Sequence, residues 1–289
     1  MMTPRLATVL AAATAVGALV VLAAPAPAVG VLLVPVAPAP AATAVEALLV
    51  PSAHASAAAY SWCTTDPFGA RTWRGGQTTY NNEWNSSSPQ RMCANGPADV
   101  RVVARQPATG RARSCPAVLS YPAVQYNFPG HGTPVSKLHA VRSTYAESQP
   151  SYPGGIGEFA SDDYWWLPGG TREQYEVMSW EDNRGQSPGG TYQAKYGIIH
   201  LAGHYYKLWD GFASTGQGYF VFLRTGRSGH PVSATRGYVP HLAEAKWLIA
   251  HHLMRRDSLF RQEEIGWEIC TDPRGGGTYR ITVNRLLIK

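Results

Sequence analysis

Two glutamates set in strand-like apolar runs, Tyr175-Glu176-Val177-Met178-Ser179-Trp180 and Ile265-Gly266-Trp267-Glu268-Ile269-Cys270, have surroundings that point to chemistry. Side chains alternate along a strand, so Glu176, Met178 and Trp180 share one face of the first run. Glu264, Gly266, Glu268 and Cys270 share one face of the second. An ionised carboxylate buried against Met and Trp is costly unless something compensates it, and catalysis is the usual reason for keeping two such groups. Paired carboxylates are the working parts of glycoside hydrolysis. Asp163 opens a further aromatic run, Asp163-Tyr164-Trp165-Trp166, from which it can hydrogen-bond one of the glutamates. A neighbouring acid splits the pKa values of such a pair, leaving one carboxyl protonated and the other ionised.

Substrate contacts are expected around Tyr80-Asn81-Asn82-Glu83-Trp84, a polar stretch with little to bury. Sugar rings stack their C–H faces on indole and pair their hydroxyls with amides, which makes Asn82 and Trp84 candidates, with Met178 and Trp180 on the glutamate's own face. Other chemistries fit less well. His200 and His204 have the spacing of a zinc pair on a helix, but Gly203 and the flanking Tyr and Ile residues predict a hairpin there. Gly154-Gly155-Ile156-Gly157 lacks the strand, helix and Lys of a phosphate loop, and no Ser or Cys stands in a nucleophile-elbow sequence.

The elements that must position these residues are short runs rich in Val, Ile, Tyr, Trp and Phe, broken by Gly, Pro, Asn and Ser, as in a many-stranded protein. One segment differs: between Pro240 and Arg256, Leu242, Ala245, Ile249 and Leu253 recur at helical spacing, predicting a single amphipathic helix. Many antiparallel strands with one helix indicate an all-β fold, a jelly-roll β-sandwich of two antiparallel sheets.

The chain opens with a charged Met1 to Arg5 and a small-residue apolar run to Ala23, read as an export signal over 1–28. Residues 29–59, almost entirely Ala, Val, Pro and Leu, read as a linker or propeptide, and 60–289 as one folded domain. The protein is expected to be secreted. Four cysteines, none in a C-x-x-C pair, suit disulfides of an exported protein and allow three pairings. Cys63 with Cys93, which bracket the first aromatic segment, is preferred; Cys115 and Cys270 are bridged or free. The net charge of +6 comes from scattered Lys and Arg, which argues against a nucleic-acid face.

Four motifs in order resemble glycoside hydrolase family 12, secreted endo-β-1,4-glucanases and xyloglucanases. Asn81-Asn82-Glu83-Trp84 resembles the family's Asn-Asn-x-Trp substrate segment, and Ala160-Ser161-Asp162-Asp163-Tyr164-Trp165 its Asp-bearing strand. Glu176-Val177-Met178-Ser179-Trp180 resembles the nucleophile strand, with Ser179 in place of an apolar residue, and Ile265-Gly266-Trp267-Glu268-Ile269 the acid/base strand. The resemblance implies Glu176 as nucleophile, Glu268 as acid/base and Asp163 as the nucleophile's helper, with retention at the anomeric carbon. It implies no cofactor and no metal, and it supports the Cys63–Cys93 pair. The expected partner is a β-glucan polysaccharide, bound by a monomer with no nucleic acid and no stable membrane association after signal cleavage. The other reading is a non-catalytic glycan-binding jelly roll.

Overall fold

The computed structural model describes residues 59–85, 89–105, 118–128, 132–150, 157–170, 173–184, 186–212, 217–270 and 277–289. The expected signal, the expected linker up to residue 58, and Cys115 lie outside the described residues. The first half of the domain holds β1 (Trp62–Thr64), β2 (Ala70–Thr72), β3 (Gln77–Tyr80), β4 (Gln90–Gly96), β5 (Asp99–Ala104), β6 (Ala123–Asn127), β7 (Thr133–Pro134), β8 (Val141–Ser148) and β9 (Gly157–Trp166). The second holds β10 (Glu173–Asn183), β11 (Thr191–Tyr192), β12 (Ile199–Leu201), β13 (His204–Phe212), β14 (Gly218–Thr225), β15 (Arg236–Val239), the helix α1 (His241–Ala250), β16 (Leu259–Ile269) and β17 (Gly277–Ile288).

Two sheets form a jelly-roll sandwich, as the sequence predicts. The smaller runs β1-β4-β5-β17-β8-β15; the larger runs β11-β13-β14-β10-β9-β16-β6-β3-β2, with β12 beside β13 and β7 beside β16. One pairing departs from the antiparallel expectation: β10 and β14 run parallel. A parallel neighbour needs a long connection, and the chain between them supplies it by building β11, β12 and β13 on the way.

The core lies on one side of the larger sheet. Trp165, Val177, Phe220, Phe222, Tyr206 and Phe260 pack there against Leu242, Ala245 and Leu248 of α1. Phe159, Ile265 and Trp267 pack with Met92, Val100, Val102 and Tyr279 of the smaller sheet. Burying each such side chain contributes roughly 1.5–3 kcal/mol. The opposite side of the larger sheet is therefore the one left to receive a ligand.

The helix ends at Ala250, six residues short of the expected Arg256. The reason is local. His252 adopts φ 59°, its N–H bonds to the Ile249 carbonyl, and the Leu253 N–H bonds back to the Leu248 carbonyl. That double closure is a Schellman motif, so Leu253 keeps its periodic spacing without being helical. The predicted hairpin at Gly203 is present: Leu201 pairs with His204 across Ala202 and Gly203, at φ 48° and 85°, the left-handed values a tight hairpin turn requires. His200 stacks on Tyr205, and His204 lies against Tyr206 and Tyr238.

Cys63 and Cys93 face each other across β1 and β4 and are joined by a disulfide. Cys270 is also disulfide-bonded. Gly266, two residues before Glu268, has no room for a side chain: a Cβ there would lie 2.2 Å from the Pro122 carbonyl oxygen and 2.8 Å from the Ala123 Cβ on β6. Gly266→Ala is expected to cost about 1–3 kcal/mol through the displaced strand. Gly96→Ala, where nothing lies within 4 Å, is the control and should leave the denaturation midpoint nearly unchanged.

Candidate active site

Register decides which side chains meet on the open face. Across β10 and β9, Glu176 pairs with Tyr164, Met178 with Asp162 and Trp180 with Ala160. Across β9 and β16, Asp162 pairs with Glu264 and Ala160 with Gly266. Residues paired across a sheet share a face, so Glu176, Asp162, Glu264 and Glu268 all belong to one side, the last two separated by an even four residues along β16. Tyr219 of β14, opposite Glu176, and Trp209 of β13 continue that side.

Asp163 does not. It pairs with Val177 and Glu263 on the core side, where its Oδ2 lies 2.8 Å from His241 Nδ1 at the start of α1. The expectation that Asp163 serves Glu176 is corrected: Asp162 is the acid beside it. The two aspartates are adjacent, and a shift of one position moves a strand side chain to the opposite face. The available signal was parity with Trp165, which is fully buried in the core and takes Asp163 with it.

Each carboxyl of the open side has a distinct partner. Glu176 Oε2 accepts a hydrogen bond from Gln217 Nε2 at 2.8 Å, Glu268 Oε2 one from Gln186 Nε2 at 3.3 Å, and Glu264 Oε1 one from Gln262 Nε2 at 2.6 Å. Tyr164 donates its hydroxyl to Asp162 Oδ2 at 2.6 Å, while Asp162 Oδ1 is buried without a partner. Burial pushes Glu176 up to about 7; the Gln217 hydrogen bond opposes this and the nearby charge of Glu268 adds to it. Burial also raises Glu264 to about 7, helped by Glu263 and Glu176. Asp162 is driven well above the ordinary carboxylate range by burial and then by the charge of Glu176. Four acids in one patch cannot all ionise, so the site holds protons that isolated carboxyls would lose near neutral pH.

Asn82 and Trp84 flank this patch. Glu83 and Ser120 form a bridge, Ser120 bridges in turn to Ile269, and Ile269 follows Glu268. The segment is thereby docked at the Glu268 end of β16. Asn82 is half-buried at φ 41°, and Trp84 is 43 % exposed. Met178 and Trp180 lie on the Glu176 side but retain only 1 % of their surface each, packed with Ala160, Val221 and Leu223 and against Trp209 and Tyr219. Their expected role as substrate contacts is corrected to that of a floor: side chains so buried present almost no surface to a ligand. Tyr192, exposed and 5.0 Å from Trp209, and Tyr219 are aromatic candidates the sequence reading passed over, since pairing across β11, β13 and β14 is needed to bring them together.

Among the described residues, Asp163, His241 and Glu244 have ligand atoms close enough to hold a metal ion. They lie in the core behind the sheet, where Asp163 holds His241 and Ser179 Oγ donates to Glu244 Oε1 at 2.7 Å.

No protein-family model and no curated protein matches the sequence. Solved structures do match. The xyloglucanase domain of NopAA, a type three effector from Sinorhizobium fredii solved with cellobiose, is 22 % identical, covering 80 % of this chain and 100 % of its own, with a TM-score of 0.65. A family 12 xyloglucanase from Bacillus licheniformis, solved with a ligand, is 16 % identical over 79 % of this chain and 100 % of its own, with a TM-score of 0.67. Endoglucanase 3 from Trichoderma harzianum, of family GH12, is 19 % identical over 79 % of this chain and 97 % of its own, at 0.64. The fold is that of the family 12 glycoside hydrolases.

A carboxyl titration tests the electrostatics of this family 12 fold independently of any reaction. The Glu176 carboxyl, followed by carbon NMR, is expected to titrate near 7. Because Gln217 bonds the charged form, Gln217→Leu should move that midpoint further up. A downward or absent shift would show that the hydrogen bond does not act on Glu176.

Proposed function

We propose that this chain is a glycoside hydrolase that cleaves β-1,4-glucosidic bonds in glucans, with retention at the anomeric carbon, and that it acts outside the cell. The observation that carries the reading is the pair Glu176 and Glu268 on the open side of a family 12 fold, close enough that the charge of one raises the pKa of the other. The apolar leader and Ala-Pro-rich segment support export.

In the proposed mechanism an oxygen of the Glu176 carboxylate attacks the anomeric carbon while Glu268 gives its proton to the departing glycosidic oxygen. A covalent glycosyl-enzyme results. Glu268, now ionised, takes a proton from water, whose oxygen attacks the same carbon and releases Glu176. Asp162, protonated beside Glu176, supplies a hydrogen-bond donor that holds the nucleophile in line. Trp84 offers a stacking face at the Glu268 end. No step calls on a cofactor.

Reducing-sugar release from cellulose, xyloglucan and mixed-linkage glucan, with Glu176→Gln as control, tests the activity. Turnover on at least one polymer that the variant abolishes is expected; equal release by both would leave the glycan-binding reading in its place. Glu268→Gln should spare substrates with activated leaving groups in the first step and yield glycosyl azide when azide is added. NMR of the first product should show the retained anomer.

Asp162→Ala is expected to lower kcat by about 10²-fold, the usual loss when one positioned donor is removed, with KM little changed. Trp84→Ala should weaken polymer binding while leaving Tm nearly intact, since its ring is largely outside the core. A large fall in Tm with an unaltered KM would return Trp84 to a packing role.

A further inference from the structure

Glu264 is a fourth acid on the open side that the two-carboxylate mechanism does not use. It is buried, and it stands directly opposite Asp162 across β16 and β9. Directly opposed side chains in adjacent strands have Cβ atoms about 4.5–5.5 Å apart, and like charges so placed repel. Among the described residues no cation pairs with either acid: the hydrogen bonds to the pair come from Tyr164 and Gln262, both neutral. Tyr164 occupies Asp162 Oδ2, leaving Oδ1 buried and without a partner. A carboxyl oxygen stranded among other carboxyls is satisfied when it carries a proton, because it then becomes a donor.

We propose that Asp162 and Glu264 hold one proton between them, and that Glu264 is a positioning residue whose negative charge keeps that proton on Asp162 Oδ1, aimed at Glu176. The inference rests on the proposed hydrolase reading for its catalytic meaning, though not for its test. The titratable groups around Glu264 are Asp162 and Tyr164 on β9, Glu176 on β10, Glu268 on its own strand, Tyr80 on β3 and Tyr121 before β6; Glu263, adjacent in β16, faces the core. All of them are acids, so deleting the Glu264 charge acts in one direction, making each remaining carboxyl easier to ionise. The resulting state is a poorer catalyst above the new Asp162 midpoint, because the donor to Glu176 is lost.

Carbon NMR titration of the Asp162 carboxyl in the wild type, Glu264→Gln and Glu264→Asp provides the test. In Glu264→Gln the midpoint is expected to fall by about one unit or more, the usual effect of one close charge. Glu264→Asp keeps the charge and should restore most of the wild-type value, which a packing role would not do. An unmoved Asp162 midpoint in Glu264→Gln overturns the proposal whether or not the protein hydrolyses glucan. Where it does, the alkaline limb of kcat/KM, along which Asp162 loses its proton, should shift to lower pH in Glu264→Gln. The same substitution made in an Asp162→Asn background should leave that limb in place. A limb that shifts equally in both backgrounds would mean that Glu264 acts on Glu268 directly, and would overturn the role assigned to Asp162. Wild-type protein with no activity but with the expected titration would sink the hydrolase reading and leave the shared proton standing.

Discussion

The site depends on one constraint, the register that locks β10 to β9 and β9 to β16. Those three strands carry acids on both faces, and side-chain alternation sorts them. Glu176, Asp162, Glu264 and Glu268 go to the open side, whereas Asp163, Glu263 and Glu181 go to the core. Slipping β9 or β16 by a single residue would exchange that strand's acids between the two sides and push its core tryptophan, Trp165 or Trp267, out of the core. The aromatic core therefore holds the acid site in register, because both are written into the same strands.

The two sets solve the cost of buried charge differently. On the core side each acid has its own partner: Asp163 pairs with His241, Glu244 accepts from Ser179, Glu263 Oε1 accepts from Ser143 Oγ at 2.7 Å, and Glu181 meets Arg224, Tyr145 and Tyr206. Burial still pushes Glu263 up to about 7 and Glu244 up to about 8, but each of these groups is tied to a fixed partner away from the open face. On the open side the acids share weakly donating amides and one tyrosine, and they face one another. Their raised pKa values come from one another as well as from burial, the setting in which general acids and bases are found.

Local devices keep this sheet in place. The Schellman closure at His252 stops α1 where the chain must turn back toward β16, and the absent side chain at Gly266 lets β6 approach within contact of the acid-bearing strand. The bridges from Glu83 through Ser120 to Ile269 pin the Asn82–Trp84 segment to the same strand end. The Cys63–Cys93 disulfide ties the short edge strand β1 to β4, at the margin of the smaller sheet.

Much of this was legible in the sequence because it depends on local pattern. Strand runs, the single helix, the Gly203 hairpin and the two glutamates with their apolar neighbours all follow from alternation, helical spacing and turn chemistry. What the sequence could not supply is anything that needs a second strand. Alternation already sends Asp162 and Asp163 to opposite faces; which of the two meets the nucleophile is decided by the pairing of Glu176 with Tyr164 across β10 and β9. Met178 and Trp180 have the right parity for a cleft, yet both are buried in a cluster with Val221 and Leu223 of β14, against which Trp209 and Tyr219, distant in sequence, pack. Glu264 has the parity of Glu268, but its meeting with Asp162 arises from β16 lying against β9. Face is a property of one strand and can be read from it, whereas neighbourhood belongs to the sheet and is decided by tertiary pairing.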